Sequence, residues 1–381
     1  MNWEILMSTR KKIGAVLGRF SSVALLTGPA VSLCLAASAA KAEELHVYNW
    51  VDYIGESTIA DFEAETGIKV IYDTYDSSET VDAKLITGSS GYDVVLHAGS
   101  FMPRLIQAGV FDVLDKSKLD NYANLDVDIL KVVANWDEDN RYGIPYMWGT
   151  VGITYNVDMI KERMPDAPIG SFSMILDPSI ISKFADCGVS LLDSPVDVIP
   201  MTLSYLGLDP MSTNPEDYDK VVEAVSAIRG SVTTFDSSNY LNALPNKERC
   251  IAMTWSGDYA VAAARAEEAG VEIKLNYFVP EEGAGAWFDM WAIPSDAPNK
   301  EAAYKWLNYM MRPEVIAAAT NYTWYANANK AATPLVDEEI RTNPAVYPDS
   351  KAMERMYLAK TLPPKVERVR TRSWSRIKTG S

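Results

Sequence analysis

The chain has 381 residues, of which 48% are hydrophobic and 23% charged, and its formal net charge is −16 at pH 7. This length exceeds what one hydrophobic core usually supports, so two lobes of roughly 150–200 residues are expected. The acidic excess disfavours nucleic-acid binding and favours encounters with small cations. Because His46 and His97 are the two histidines, a histidine-rich zinc or iron site is excluded and a Ser-His-Asp triad is disfavoured. No metal or cofactor is expected.

The first 42 residues have the three parts of a cleavable secretory signal peptide. Basic residues at positions 10–12 precede an apolar run over 23–37, and Ala40-Lys41-Ala42 forms a small-x-small cleavage site. Met7 is an alternative to Met1 as the start residue. Export is therefore predicted.

Cleavage would remove Cys34 and leave Cys187 and Cys250 as the two cysteines. Two thiols in an oxidising compartment usually pair, so a Cys187–Cys250 disulfide is predicted.

The elements that follow alternate between strands and helices. A strand over 45–50, a helix over 57–66 and a strand over 68–73 predict a parallel β-α-β unit. The further strands are expected over 92–96, 142–156, 189–193, 251–255, 273–279 and 287–293. The further helices are expected over 102–109, 180–185, 196–206, 215–228, 240–247, 300–311 and 313–320. This is an α/β protein.

The order of these elements predicts a chain that leaves the first lobe and returns to it. Lobe one is expected to comprise residues 43–147 and 287–330, and lobe two residues 148–286. The C-terminal segment 331–381 is expected to pack mainly on lobe two. Two crossing strands imply a hinge between the lobes.

The segment Ala286–Pro294 predicts a buried strand with Trp287, Asp289 and Trp291 on one face. An ionised carboxylate removed from water requires a cation or several donors, so Asp289 needs either an internal Lys or Arg or a cationic ligand. The alternative is a core strand whose Asp caps a turn. The indoles expected in the core are those of Trp148, Trp291 and Trp306.

Acidic and aromatic residues recur at the predicted strand ends, whereas basic residues do not. These positions are Trp50, Asp52, Tyr53, Ser100, Asp197, Trp255, Asp258, Trp287, Asp289 and Tyr325. Aromatic rings and separated carboxylates suit an organic polycation, and the alternating acids of a calcium loop are absent from the sequence. Alternatively, Tyr53 and Ser100 close turns, and Asp258 is the N-cap of a helix over 259–269.

Several segments resemble the periplasmic polyamine-binding proteins, and the putrescine-binding branch in particular. These segments are 45–54, 93–107, 142–157, 187–195, 251–258, 283–294, 325–334 and 369–372. The resemblance covers nearly the whole mature chain and implies a type II periplasmic-binding-protein fold. It also implies a monomeric, non-enzymatic periplasmic receptor that delivers putrescine or spermidine to the permease subunits of an ABC importer.

The resemblance further implies ligand contacts at the strand-end positions above and at Ser237. Trp50 and Tyr325 would be ring walls, Asp289 the principal ammonium-binding acid, and Asp197 the acid for the distal amine. Trp287 is similar to the residue of spermidine-preferring members, whereas Val51 and Ala98 replace residues that are often Ser or Thr in putrescine binders. The preferred amine is therefore left open.

Three other functions remain open at this point. They are binding of another organic cation, a role as a sensor partner, and a secreted hydrolase that uses two of the carboxylates as acid and base.

Overall fold

The computed structural model describes residues 43–380. The predicted signal peptide lies outside the described residues. Among the helices of residues 43–380, none has the length and apolar character that a bilayer crossing requires.

The strands of the described chain form one mixed sheet. They are β1 (Glu44–Trp50), β2 (Lys69–Tyr75), β3 (Val94–Ala98), β4 (Gly143–Asn156), β5 (Val189–Leu191), β6 (Thr234–Phe235), β7 (Ile251–Trp255), β8 (Leu275–Phe278), β9 (Ala284–Ala292), β10 (Ala326–Asn327) and β11 (Met356–Leu358). The principal order is β2-β1-β3-β9-β4-β7-β5-β6, with β8 and β10 paired to β4 and β11 paired to β9. The predicted α/β class is confirmed.

The α-helices cover the sheet or form its connections. They are α1 (Thr58–Thr66), α2 (Ser78–Ile86), α3 (Met102–Gln107), α4 (Val127–Val133), α5 (Val157–Arg163), α6 (Ser173–Leu176), α7 (Pro178–Ile181), α8 (Pro195–Tyr205), α9 (Pro215–Ile228), α10 (Tyr240–Ala243), α11 (Asp258–Glu268), α12 (Lys300–Met310), α13 (Pro313–Thr323), α14 (Glu338–Arg341), α15 (Ser350–Glu354) and α16 (Pro364–Thr379).

Local sequence signals explain where several helices begin and end. The Asn214 side chain accepts a hydrogen bond from the Glu216 amide. Pro215 occupies the first position of α9, where the backbone amide that proline lacks would have no acceptor within the helix. Helix α1 ends at Gly67, whose φ of 71° is a conformation that glycine adopts without a steric penalty.

Two hydrophobic cores lie along the sheet. We refer to the elements around the first as lobe one and to those around the second as lobe two. The first core includes Leu45, Phe62, Leu96, Trp291 and Trp306. The second includes Ile153, Phe184, Val189, Tyr218 and Ile251.

Strand β4 links the two cores. All fourteen of its residues are buried; Trp148 belongs to the first core and Val151 to the second. Thr150 lies between these two residues, and its hydroxyl is 2.9 Å from the Tyr277 hydroxyl of β8. The chain returns to lobe one between β8 and β9.

The C-terminal segment differs from its expected position because its first part packs on lobe one. Ala332, Val336, Ile340 and Val346 belong to the first core. The part that packs on lobe two comes later and includes Leu362, Val366, Trp374 and Ile377. Residues 347–361 therefore form a third connection between the lobes, in addition to the two crossing strands that the sequence predicted.

Strand β11 lies within that third connection. It runs parallel to the beginning of β9, with Tyr357 opposite Gly285. The Trp136 indole also donates a 2.7 Å hydrogen bond to the Ala359 carbonyl. The connection is therefore fixed to lobe one on two sides.

The predicted disulfide is confirmed: Cys187 and Cys250 are bonded, and their Cα atoms lie 5.4 Å apart. Both residues are buried in the second core. The bond joins the start of β5 to the start of β7, two neighbouring strands of lobe two.

We expect the Cys187→Ala/Cys250→Ala variant to lose about 4 kcal/mol of unfolding free energy, because the disulfide closes a loop of 63 residues in the unfolded chain. Urea unfolding with and without reductant measures this loss. Reductant is expected to lower the midpoint of the wild-type protein and leave that of the variant unchanged. An equal midpoint for the two proteins would show that the bond adds no stability.

Candidate functional site

A cavity of about 160 Å³ lies between the lobes. Loops from both lobes line it, and several of them follow the carboxyl ends of parallel strands, where ligands bind in sheets of this kind. All eleven positions that the sequence singled out as ligand contacts line this one cavity: Trp50, Asp52, Tyr53, Ser100, Asp197, Ser237, Trp255, Asp258, Trp287, Asp289 and Tyr325. Their role as ligand contacts stays a prediction.

One face of β9 forms part of the cavity wall. Gly285, Trp287 and Asp289 alternate along the strand and all line the cavity. Trp291, which strand alternation places on the same face, does not line the cavity, and its predicted place in the core is confirmed. Trp291 is 1% exposed and packs against the Tyr146 and Trp306 rings at centroid distances of 5.3 and 6.0 Å. Helix α12 brings Trp306 over this end of the strand, so the Trp291 indole belongs to the core.

Asp289 is buried without a cationic partner. It is 5% exposed, and no Lys or Arg of residues 43–380 forms an ion pair with it. The buried Tyr53 hydroxyl lies beside this carboxylate without a hydrogen bond of standard length and angle. Burial raises the pKa of Asp289 to about 7; the Tyr53 hydroxyl opposes this rise, and the negative charge of Asp197 adds to it.

Asp258 has two tyrosine partners. The Tyr240 and Tyr325 hydroxyls each donate a short hydrogen bond to one of its carboxylate oxygens. Burial raises the pKa of Asp258 to about 6, although both hydrogen bonds act in the opposite direction. The alternative prediction that Asp258 is an N-cap is wrong, because α11 begins at Asp258 and its N-cap is Gly257.

Gly257 allows Tyr325 to reach Asp258. A Cβ atom at position 257 would lie 2.8 Å from the Thr323 carbonyl oxygen and 2.9 Å from the Tyr325 ring. A side chain there would therefore displace the tyrosine from the carboxylate.

Asp52 has an internal cation, contrary to the expectation from the sequence. Its carboxylate forms a 2.9 Å ion pair with Arg265 of α11, which also donates to the Asn242 side chain at 2.9 Å. The Asp52 side chain is 55% exposed, so the pair lies at the cavity's edge. Asp52 follows β1 in lobe one, whereas Arg265 lies in lobe two; the ion pair thus bridges the lobes.

Asp197 lies in the first turn of α8, where the N-terminal end of the helix favours a negative charge. Its carboxylate accepts a 2.6 Å hydrogen bond from the Ser194 hydroxyl. Burial raises the pKa of Asp197 to about 6; the Ser194 hydrogen bond opposes this, and the negative charge of Glu79 adds to it. Glu79 reaches the cavity from lobe one.

Aromatic rings surround the buried carboxylates. The Tyr325 ring contacts Tyr53 and Trp287 edge-on, at centroid distances of 5.3 and 5.2 Å. Trp50 and Trp255 line the cavity as well. Anionic groups among aromatic faces favour an organic cation, because a ring attracts a positive charge and also packs against methylene groups.

Sequence reasoning missed several residues of the cavity. The missed residues that carry a charge or a hydroxyl include Asp76, Ser77, Glu79, Asp193, Ser194 and Tyr357. The signal for Asp76 to Glu79 was present, because this loop follows the second parallel strand just as the predicted loops follow the first and third. Tyr357 had no such signal, since β11 is three residues long and its pairing with β9 is not encoded locally.

Comparison with known proteins identifies close sequence relatives. A family model described as "Bacterial extracellular solute-binding protein" matches residues 57–348. The chain is 46% identical over 358 residues to the putrescine-binding periplasmic protein PotF of Escherichia coli (strain K12), covering 93% of this chain and 97% of that protein. It is also 46% identical over 363 residues to the putrescine-binding periplasmic protein SpuD of Pseudomonas aeruginosa (strain UCBPP-PA14), covering 95% and 99%.

The fold is also similar to solved structures. A structure named as a putative spermidine/putrescine ABC transporter from Listeria monocytogenes aligns with a TM-score of 0.80 and 29% identity. The alignment covers 89% of this chain and 100% of that one.

We expect Asp289→Asn to stabilise the ligand-free protein more at pH 8 than at pH 5, by about 3 kcal/mol. The raised pKa means that the folded protein binds more protons than the unfolded chain between about pH 4 and 7, so the wild-type stability falls as pH rises through this range. The variant lacks this loss because Asn does not ionise. Urea unfolding at both pH values measures the difference.

The exposed Asp120 supplies the matched control. Asp120→Asn is expected to give the same small change in unfolding free energy at pH 5 and at pH 8. A pH-independent effect of Asp289→Asn would show that this carboxylate is already ionised without penalty.

Proposed function

The chain belongs to the bacterial extracellular solute-binding proteins, and we propose that it is a periplasmic receptor that binds a polyamine, putrescine or spermidine, between its two lobes. It has the two-lobed α/β fold of the type II periplasmic binding proteins, and its relatives are polyamine-binding proteins. The signal peptide predicted over residues 1–42 is removed on export. The receptor then delivers its ligand to the permease subunits of an ABC importer in the inner membrane.

The observation that carries this proposal is the buried Asp289 carboxylate without a cationic partner among residues 43–380. Burying an ionised group without compensation is unfavourable by several kcal/mol. An ammonium group beside Asp289 supplies that compensation, and the rings of Trp287 and Tyr325 pack against the ligand's methylene groups. Asp258 and Asp197 meet further ammonium groups.

Binding draws on both lobes. Asp289 belongs to β9 of lobe one, whereas Asp197 and Asp258 belong to lobe two. A ligand that contacts both lobes stabilises the closed arrangement differentially, as a hinge mechanism requires. The Asp52–Arg265 ion pair joins the lobes at the cavity's edge and supports the same arrangement.

The proposed receptor is a monomer, binds no nucleic acid and catalyses no reaction. Its acidic charge repels a polyanion. His97 is buried outside the cavity lining, and burial lowers its pKa to about 3, so it is neutral at physiological pH. The cavity carboxylates balance the positive charges of the ligand and transfer no proton to a substrate.

Calorimetric titration of refolded, ligand-free protein with putrescine and with spermidine tests the function. We expect binding of at least one amine, and Asp289→Asn is expected to weaken it at least tenfold, about 1.4 kcal/mol, because the ammonium loses its charged partner. Asp120→Asn is the control and is expected to retain wild-type affinity. An unchanged affinity of Asp289→Asn would remove Asp289 from the site, and no binding of either amine by the wild-type protein would refute the receptor function.

Polyamine affinity is expected to fall as pH decreases below about 7. The free protein protonates Asp289 near pH 7 and Asp197 and Asp258 near pH 6, and a cation binds their ionised forms. Binding at pH 6 therefore releases protons, which calorimetry detects as a dependence of the apparent enthalpy on the ionisation enthalpy of the buffer. A binding enthalpy independent of the buffer at pH 6 would contradict this assignment. Asp289→Asn is expected to reduce the proton release.

A further inference from the structure

Helix α11 of lobe two lies along the boundary with lobe one and contacts it near both of its ends. Towards the C-terminal end, Arg265 forms the ion pair with Asp52 at the cavity's edge. At the N-terminal end, Asp258 accepts a hydrogen bond from Tyr325 of lobe one. These two contact positions are seven residues apart, which is about 10 Å along a helix. The helix therefore follows the boundary between the lobes over much of its length.

Tyr259, in the first turn of α11, makes a further contact with lobe one. Its hydroxyl accepts a hydrogen bond from the side-chain amide of Asn343. Its ring lies edge-on to the Trp324 indole, at a centroid distance of 6.3 Å. Asn343 lies between Ile340 and Val346 of the first core, and Trp324 packs against the same core. Both partners of Tyr259 therefore belong to lobe one.

Protein groups fix the position of Tyr259 from both lobes. On the side of lobe two, its ring is stacked on the Tyr277 ring at a centroid distance of 6.0 Å. The Tyr277 hydroxyl in turn donates to the backbone carbonyl of Thr150, where β4 passes between the two cores. On the side of lobe one, the Asn343 side-chain oxygen accepts a hydrogen bond from the Ala345 amide, which orients the amide that donates to Tyr259.

We call Tyr259, Trp324 and Asn343 the outer contact, because none of these three residues lines the cavity. Burial raises the pKa of Tyr259, and the hydrogen bond from Asn343 opposes this rise, so the hydroxyl is neutral at physiological pH. Neighbouring residues thus meet on two sides of the boundary. Asp258 and Tyr325 meet at the cavity wall, whereas Tyr259 and Trp324 meet outside it.

We propose that Tyr259 is a positioning residue, which joins the lobes through the outer contact and stabilises their closed arrangement by the same amount for every ligand. Opening of the lobes separates Tyr259 from Asn343 and Trp324. Because apparent affinity scales with the fraction of receptor in the binding-competent arrangement, the outer contact raises the affinity for all ligands by one common factor. This inference concerns residues outside the cavity, and its affinity test rests on the proposed function.

Calorimetry and stopped-flow tryptophan fluorescence of Tyr259→Phe, with putrescine and with spermidine, test this role. For each amine that binds, the affinity is expected to fall about fivefold, which corresponds to about 1 kcal/mol for one uncharged hydrogen bond. The dissociation rate is expected to rise by the same factor, because the contact exists only in the closed arrangement. The ratio of the two affinities is expected to keep its wild-type value, since Tyr259 does not contact the ligand.

Tyr322→Phe is the matched control. This tyrosine lies in α13 of lobe one and is 55% exposed, so removal of its hydroxyl is expected to leave the affinities and dissociation rates at their wild-type values.

A double-mutant cycle with Asn343→Ala tests whether the hydrogen bond is the origin of the effect. Asn343→Ala is expected to weaken each amine about fivefold. The double variant is expected to lose no more than either single variant, because both substitutions remove the same bond. A loss of about twenty-fivefold in the double variant would show that the two residues act independently and would overturn the role of the bond. Far-UV circular dichroism establishes that each variant is folded.

The outcomes separate this inference from the function. If the wild-type protein binds amines and Tyr259→Phe leaves the affinities and dissociation rates unchanged, or changes the ratio of the affinities, the role of Tyr259 is refuted while the receptor function stands. If the wild-type protein binds neither amine, the receptor function is refuted, and small-angle X-ray scattering of the ligand-free proteins decides on Tyr259. The variant is expected to have a larger radius of gyration than the wild-type protein, and equal radii would refute the role.

Discussion

A buried carboxylate without a positive neighbour is the constraint on which the rest of the structure depends. Asp289 is removed from water by Trp287, Tyr53 and Tyr325, and none of the described lysines or arginines compensates its charge. Such a group destabilises the empty protein, and the protein tolerates it because two hydrophobic cores and a disulfide hold the surrounding strands. In the proposed function, a bound cation compensates this unfavourable burial. On that proposal, ligand affinity and the instability of the empty site have one physical origin.

The sheet explains how carboxylates from distant parts of the sequence come to share one cavity. Strands β1, β3 and β9 are adjacent, and β4 continues from lobe one into lobe two, where β7 and β5 pair beyond it. The loops after β1 and β5 therefore approach each other from opposite sides of β9. Asp52 lies in the loop after β1 and Asp197 lies in the first turn of α8, directly after the other loop, whereas Asp289 lies on β9 itself. The arrangement divides the site between two bodies that share continuous strands, which is the geometry that a hinge needs.

Sequence reasoning succeeded where chemistry is encoded locally and failed where it depends on distant packing. The strand ends at Trp50 and Trp255 were predictable from apolar runs that end in polar residues, and the disulfide from the compartment. The core position of Trp291 was predicted, but strand alternation does not reveal that Trp306 from a later helix is the residue that covers it. The pairing of Asp52 with Arg265 joins residues 213 positions apart, and no local pattern indicates such a partner. Tyr357 was missed for the same reason, because β11 forms only by pairing with the distant strand β9.

The third connection has a consequence for biogenesis. Strand β11 pairs with β9, and α16, the last helix of the described chain, packs on the core of lobe two. An emerging chain that has delivered every element through β10 still lacks part of the second core and one wall of the cavity. Assembly of the cavity must therefore await the final segment of the polypeptide, so that an incomplete chain carries the cavity's acids without their full enclosure.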